Sequence, residues 1–133
     1  MYSILPCSDK DKLSAYPEGA TLLIYTENNK ERGYIAYIQN KSALEILTME
    51  TGESFTQNGE VSDEMFIHAD ALIRAVGSIA LGKGLLTICS KNNDLAPVFE
   101  KFEFFRHGEY FTLYLNKLFA KGCSGCSGCN VCK

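Results

Sequence analysis

The stretch "SDEMFIHADALIRAVGSIALGKG", residues 62–84, repeats its apolar residues with the period of an α-helix. Phe66, Ala69, Ile73, Val76 and Ala80 fall on one line, and Met65, Leu72 and Ile79 widen it into a broad stripe. Ser62 is placed to cap the first turn, Asp63 and Glu64 suit the positive end of the helix dipole, and Gly82 or Gly84 can end it. A helix with so wide an apolar face has to lie against another apolar surface, and a β-sheet is the flat partner such a face fits.

The flanking sequence supplies the sheet. Residues 20–39, "ATLLIYTENNKERGYIAYIQ", hold two runs rich in β-branched and aromatic residues around the polar "ENNKER", the pattern of a hairpin. "ALEILTME" (43–50) alternates less cleanly but is short, apolar and bounded by polar residues, which suits a third strand beside that hairpin. After the helix, "LLTIC" (85–89) reads as a buried strand. "NNDLAPVFEKF" reads as a second helix capped by Asp94, with Pro97 at a position where its missing N–H costs no helical bond. "FEFFRHGEYFTLYL" (102–115) reads as two strands around a turn at His107–Gly108. The order is three strands, helix, strand, helix, hairpin: an α/β (α+β) sandwich whose mixed sheet is mostly antiparallel and flanked by helices.

At 133 residues, 46% of them apolar and 22% charged, the chain can bury a core without staples from disulfides or metals. We read residues 1–119 as one domain and 120–133 as a Cys-rich tail. A net charge of −3 gives no overall field that would draw phosphate backbones or anionic lipid, so nucleic acid and membrane surfaces are not the expected partners. "MYSILPCSDKDK" has no basic segment followed by a long apolar run, and no window reaches the roughly 18 apolar residues of a span; the expected location is the cytoplasm.

The order of elements carries a resemblance. "ADALIRAVGSIALGKGLLTICSKNNDLAPVFEKFEFF" resembles the second half of the GNAT N-acetyltransferases: a long helix closing on a Gly, a short strand, an Asn, a short helix and a final aromatic strand. "RGYIAYI" and "ALEILTME" extend the likeness upstream, so that it spans roughly residues 20–119. The resemblance implies a GNAT-like fold, an acyl-CoA-dependent N-acetyltransferase, acetyl-CoA as cofactor and a small-molecule amine as acceptor; it also admits a homodimer. It further implies a sheet that splays beside the mouth of the long helix, where backbone amides near Thr48 and Met49, together with Gln57, Gly59 and Asn92, would hold the cofactor. Glu50 or Glu45 would take the amine proton, and Tyr110 is a donor for the leaving thiolate, although all three residues also suit ordinary sheet positions.

The same alignment shows departures. The family's pyrophosphate loop falls on "TGESFTQNGEVSDE", where Gln57 and Gly59 match but the second small residue and any Arg are missing. No Lys or Arg occurs from Ser42 to Ile73, while Glu60, Asp63 and Glu64 surround the helix end that would receive the anion. Like charges about 5 Å apart repel by about 3 kcal/mol at an effective dielectric near 20. The Tyr that many family members carry on the second helix is Phe99 here, and Phe has no proton to give. These losses open a second expectation beside the transferase, a non-catalytic binding module on the same scaffold whose Cys-rich tail binds a metal or iron–sulfur cluster or senses redox state.

The tail "CSGCSGCNVC" sets Cys123, Cys126, Cys129 and Cys132 three residues apart. Cys-x2-Cys lets two sulfurs reach one metal, so zinc or an iron–sulfur cluster is one reading. The first three cysteines match a ferredoxin spacing, but the fourth follows too soon and no second set of four exists. A thiol segment that binds soft metals loosely or senses redox state is the other reading, and disulfides are a third. His68 and His107 have no partner at a spacing that suggests a triad, and Cys7 and Cys89 read as plain thiols.

Overall fold

The computed structural model describes the backbone of residues 2–51 and 63–122 and the side chains of residues 3–51 and 67–118. Strands β1 (Tyr2–Pro6), β2 (Thr21–Glu27), β3 (Lys30–Asn40) and β4 (Ala43–Glu50) form an antiparallel run preceded at β2 by a one-turn helix, α1 (Lys10–Leu13). Helix α2 (Asp63–Gly82) then crosses to β5 (Thr87–Ser90), and α3 (Ala96–Lys101) leads to the hairpin β6 (Phe105–His107) and β7 (Tyr110–Tyr114). The chain continues as α4 (Leu115–Gly122). The sheet order is β1-β2-β3-β4-β5-β7-β6, and β4 with β5 is the parallel pair. The crossover through α2 imposes that direction, since a parallel neighbour needs a long return connection.

The described part of the helical stripe is where the period placed it, and the side chains of Met65 and Phe66 lie outside the described residues. Ala69, Leu72, Ile73, Val76 and Ala80 are fully buried against Leu23, Ile35, Tyr37, Leu44, Ile46, Met49 and Ile88 of the sheet. Gly84 ends the helix: at φ 77° it takes the left-handed turn that lets the Leu85 amide donate to the Ala80 carbonyl at 2.9 Å. Val98 and Phe99 of α3 join the same core, with the Phe99 ring 4.7 Å from Phe104 and 5.4 Å from Phe111. Among the described residues, α1 and its flanking loop cover part of β2 and β3 on the opposite sheet face.

Three local readings change. The hairpin linker is two residues, not six: Asn28 and Asn29 both take positive φ (53° and 66°), so the polar residues of "ENNKER" belong to the strands on either side. Asn92 rather than Asp94 caps the second helical segment; its Oδ1 accepts from the Asp94 amide at 3.0 Å and starts a 3₁₀ turn (Asn93–Leu95), leaving Pro97 in the first turn of α3. The last turn is Gly108–Glu109, with Gly108 at φ 63° and His107 in β6. "NKLFAKG" is helical, held to the domain by Leu115 N–H on the Leu86 carbonyl (2.9 Å) and by Arg74 Nη1 on the Leu118 carbonyl (3.3 Å). β1 went unread because it is five residues long and ends on Pro6, which a sheet edge tolerates. Ser62, the expected cap of α2, lies outside the described residues.

Candidate functional site

The site begins as a packing problem in β4. Leu44, Ile46 and Met49 all belong to the core, at spacings of two and then three, whereas a regular strand turns a side chain to the same face every second residue. One residue must be absorbed. The ladder with β3 absorbs it: Tyr37 pairs with Ile46 and Ala36 with Thr48, so Leu47 is a bulge. Bulges bend a strand, and here the parallel ladder to β5 stops at Glu45–Cys89 after three residue pairs. Beyond that point β4 is paired, among the described residues, with β3 alone.

Two side chains bridge the base of the opening. Ser90, fully buried, donates through Oγ to the Ile46 carbonyl at 2.7 Å, and Asn92 donates through Nδ2 to the Leu47 carbonyl at 3.0 Å. Successive carbonyls of a regular strand point to opposite sides, so both facing β5 is the signature of the bulge at Leu47. The amides of Leu47 and Thr48 are thereby turned toward β3. Once alternation resumes, the Met49 amide faces the gap that β5 has left. The result is a slot bridged at its base by two side chains, with a backbone donor on its β4 wall.

The two carboxylates named from the sequence share the sheet face opposite α2 and have opposite surroundings. Glu50 is exposed, next in the chain to Met49 and therefore about 3.8 Å away at Cα. Its cross-strand partner is Tyr34, whose hydroxyl donates to Oε2 at 2.8 Å. Burial, then the Glu50 hydrogen bond and charge, then Tyr16 push the Tyr34 phenol well above its ordinary range, so it stays a donor at any physiological pH. Glu45 is only 6% exposed, accepts from Asn40 Nδ2 at 2.9 Å, and stands beside Cys89 in the closed part of the ladder. Burial and, after it, the Glu45 charge push the Cys89 thiol up to about 11.

Gly33 lets the far end of β4 close over β3. A Cβ there would run into the Glu50 carbonyl and come within 2.8 Å of Thr51 Cα. Tyr110 opens β7 on the same face as Cys89, with Lys91 Nζ 6.0 Å from its ring centroid, and β5 separates it from β4. The structure therefore gathers Thr48, Met49, Glu50 and Asn92 around the slot, keeps Glu45 in the zipped strand below it, and sets Tyr110 beyond β5. Gln57, Gly59 and the tail residues Cys123, Cys126, Cys129 and Cys132 lie outside the described residues. Among the described residues no group of three His, Cys, Asp or Glu is placed to hold a metal. A hollow of about 560 Å³, lined in part by Asp70, Arg74 and Lys117, lies on the helical face and does not include β4.

Ser90 and Tyr34 were not singled out from the sequence. A hydroxyl closing the apolar run "LLTIC" was the available signal for Ser90. Tyr34 had none, because its partnership with Glu50 exists only through the register of β3 on β4.

No family model and no curated protein matches this sequence. Solved structures do. The ribosomal-protein-S18-alanine N-acetyltransferase from Escherichia coli superposes with a TM-score of 0.56 at 13% identity, over 80% of this chain and 79% of that one. A GNAT family acetyltransferase from Elizabethkingia anophelis, with acetyl-CoA bound, gives 0.58 at 15% identity over 80% and 77%. A proposed acyl-CoA N-acyltransferase from Klebsiella pneumoniae gives 0.60 at 11% identity over 86% and 98%. At these identities the likeness establishes the fold: this chain has the GNAT architecture.

Proposed function

We propose that this chain, built on the GNAT fold, is an acyl-CoA-dependent N-acetyltransferase that uses the β4–β5 slot. The observation that supports the reading is the bulge at Leu47, beside which the ladder ends at Glu45–Cys89 and the Met49 amide turns into a gap whose base Ser90 and Asn92 bridge. Acetyl-CoA supplies an acyl group on a good leaving thiol. The chain's own residues supply the rest. The Met49 N–H is placed to donate to a thioester carbonyl oxygen, where negative charge grows during attack. Glu50, steadied by Tyr34, is placed to receive a proton from an amine arriving on the face opposite α2. The described donor set fits the thioester end of the cofactor; the pyrophosphate loop lies outside the described residues.

A second reading, a binding module without transfer, draws on one observation. Phe99 fills the core between Phe104 and Phe111, so no proton donor stands where many relatives of this fold place one. One pair of measurements separates the readings. A thermal melt with about 1 mM acetyl-CoA shifts upward if the cofactor binds, by about 2.7 kcal/mol when its concentration is 100 times Kd. Acetylation of a panel of primary amines then shows transfer. Absence of both effects overturns the transferase reading.

A further inference from the structure

On the face opposite α2, the loop after α1 folds back over β2 and β3 and leaves a hollow of about 250 Å³. Leu22 and Ile24, two apart on β2 and so on one face, form an apolar floor, and the half-buried rings of Tyr16 and Tyr34 form walls. Lys12 and Glu31 stand at the rim as an exposed pair, Nζ to Oε2 3.7 Å. They cancel one another. The wall nearest the slot is Tyr34, and beyond it Tyr34 holds Glu50, a carboxylate that does not itself line the hollow and has no ion-pair partner among the described residues. At the roughly 30 Å³ each water occupies in the liquid, the hollow holds about eight waters, the bulk of a single ring with a short arm.

An apolar and aromatic chamber with a carboxylate just beyond one wall matches a small cation with an apolar body. We infer that this hollow is the acceptor subsite and that the acceptor is a small primary amine on an aromatic or branched apolar body, its nitrogen directed to Glu50. The inference rests on the transferase reading for its chemistry but not for its binding. A linear diamine would leave Leu22 and Ile24 unmatched and bring a second charge into a chamber with one carboxylate beyond its wall. Tyr34 acts as a positioning residue: its bond to Oε2 leaves Oε1 to face the amine. The ammonium gives a proton to Glu50, the free nitrogen attacks the thioester carbonyl carbon, the N–C bond forms as the C–S bond breaks, and the nitrogen's second proton reaches the thiolate through solvent.

Calorimetry on the full chain with phenethylamine, isopentylamine and putrescine, followed by turnover of each with acetyl-CoA, tests this. Phenethylamine is expected to bind at least tenfold more tightly than putrescine, with isopentylamine between. Ile24→Trp, which fills the chamber, is expected to remove that preference while leaving the acetyl-CoA thermal shift intact; Tyr16→Ala is the second variant if Ile24→Trp does not fold. Equal binding of the three amines, or a preference untouched by both variants, overturns the inference. Binding in the expected order without turnover upholds the amine site and overturns the transferase reading. Turnover of putrescine with no preference for the ring upholds the transferase and overturns the site.

Discussion

The two halves of β4 are made from the same kind of sequence and do opposite things. Ala43–Glu45 is zipped on both sides, to β3 and β5, and its carboxylate, Glu45, is buried with Asn40 as donor. Ile46–Glu50 has β3 on one side and an opening on the other, and its carboxylate, Glu50, is exposed and held by a phenol. The lower half is stabilised by a complete ladder and the upper half by a glycine that lets it close over β3. A strand can therefore be structural at one end and open at the other with one bulge between, and the two glutamates are assigned different work by position rather than by type.

The largest expected effect comes from forcing the upper half off its neighbour. Gly33→Val places a branched side chain into the Glu50 carbonyl and Thr51, and a loss of about 3 kcal/mol or more in denaturant unfolding is expected, a large share of a typical domain's stability. An unchanged midpoint would show that β4 does not need that close approach.

Exchanging the two carboxylates for amides should split stability from activity. Glu50→Gln is expected to lower acetyl transfer about 100-fold, the low end of general-base contributions, with the melting temperature unchanged. Glu45→Gln buries an amide N–H₂ in place of a charge partnered by Asn40, and is expected to cost about 1–2 kcal/mol with transfer unchanged. If both variants lose activity alike, the contrast between the two halves is wrong.

Ser90→Ala removes the hydroxyl from the Ile46 carbonyl at the boundary itself. A cost of about 1–2 kcal/mol is expected from the buried acceptor left without its donor, together with a smaller acetyl-CoA thermal shift as the slot loses one of the two bridges at its base. A stability loss with no change in that shift would mean the bridge serves only the core.

The last effect is one of pH, absent near neutrality, and it belongs to the closed half. The Cys89 thiol titrates near 11 in the fold against about 9 when free, so between these values the folded state holds a proton that the unfolded state has released. Stability must then fall as pH rises from about 9 toward 11. Cys89→Ala should flatten that part of the Tm-versus-pH curve.

Much of this architecture could be read in advance where a period was strong. The α2 stripe needed no tertiary knowledge, because five residues at helical spacing fit no other element, and the strands at 20–50 followed from their β-branched runs. The polar "ENNKER" misled because Glu31 and Arg32 look like loop residues, yet only Asn28 and Asn29 carry the positive φ that a two-residue turn demands. β1 and α4 are too short, at five and eight residues, for a period to announce them and are defined by what they dock on. Around the slot, the irregular alternation of "ALEILTME" was visible, and it is the bulge. What the irregularity opens was legible only through resemblance to a family. Tyr34, Tyr16 and the chamber they line depend on a cross-strand register and a folded-back loop, neither of which leaves a mark in local sequence.

Leu47 has a further consequence. Deleting it would leave Ile46 and Met49 on the core side and Thr48 and Glu50 on the other, every side chain facing as it does now, in perfect two-residue rhythm. Such a strand would have no reason to bend and would run on beside β5. Whether this molecule has a cleft is thus decided by arithmetic, a count that is odd by one, and no inventory of side chains would reveal it.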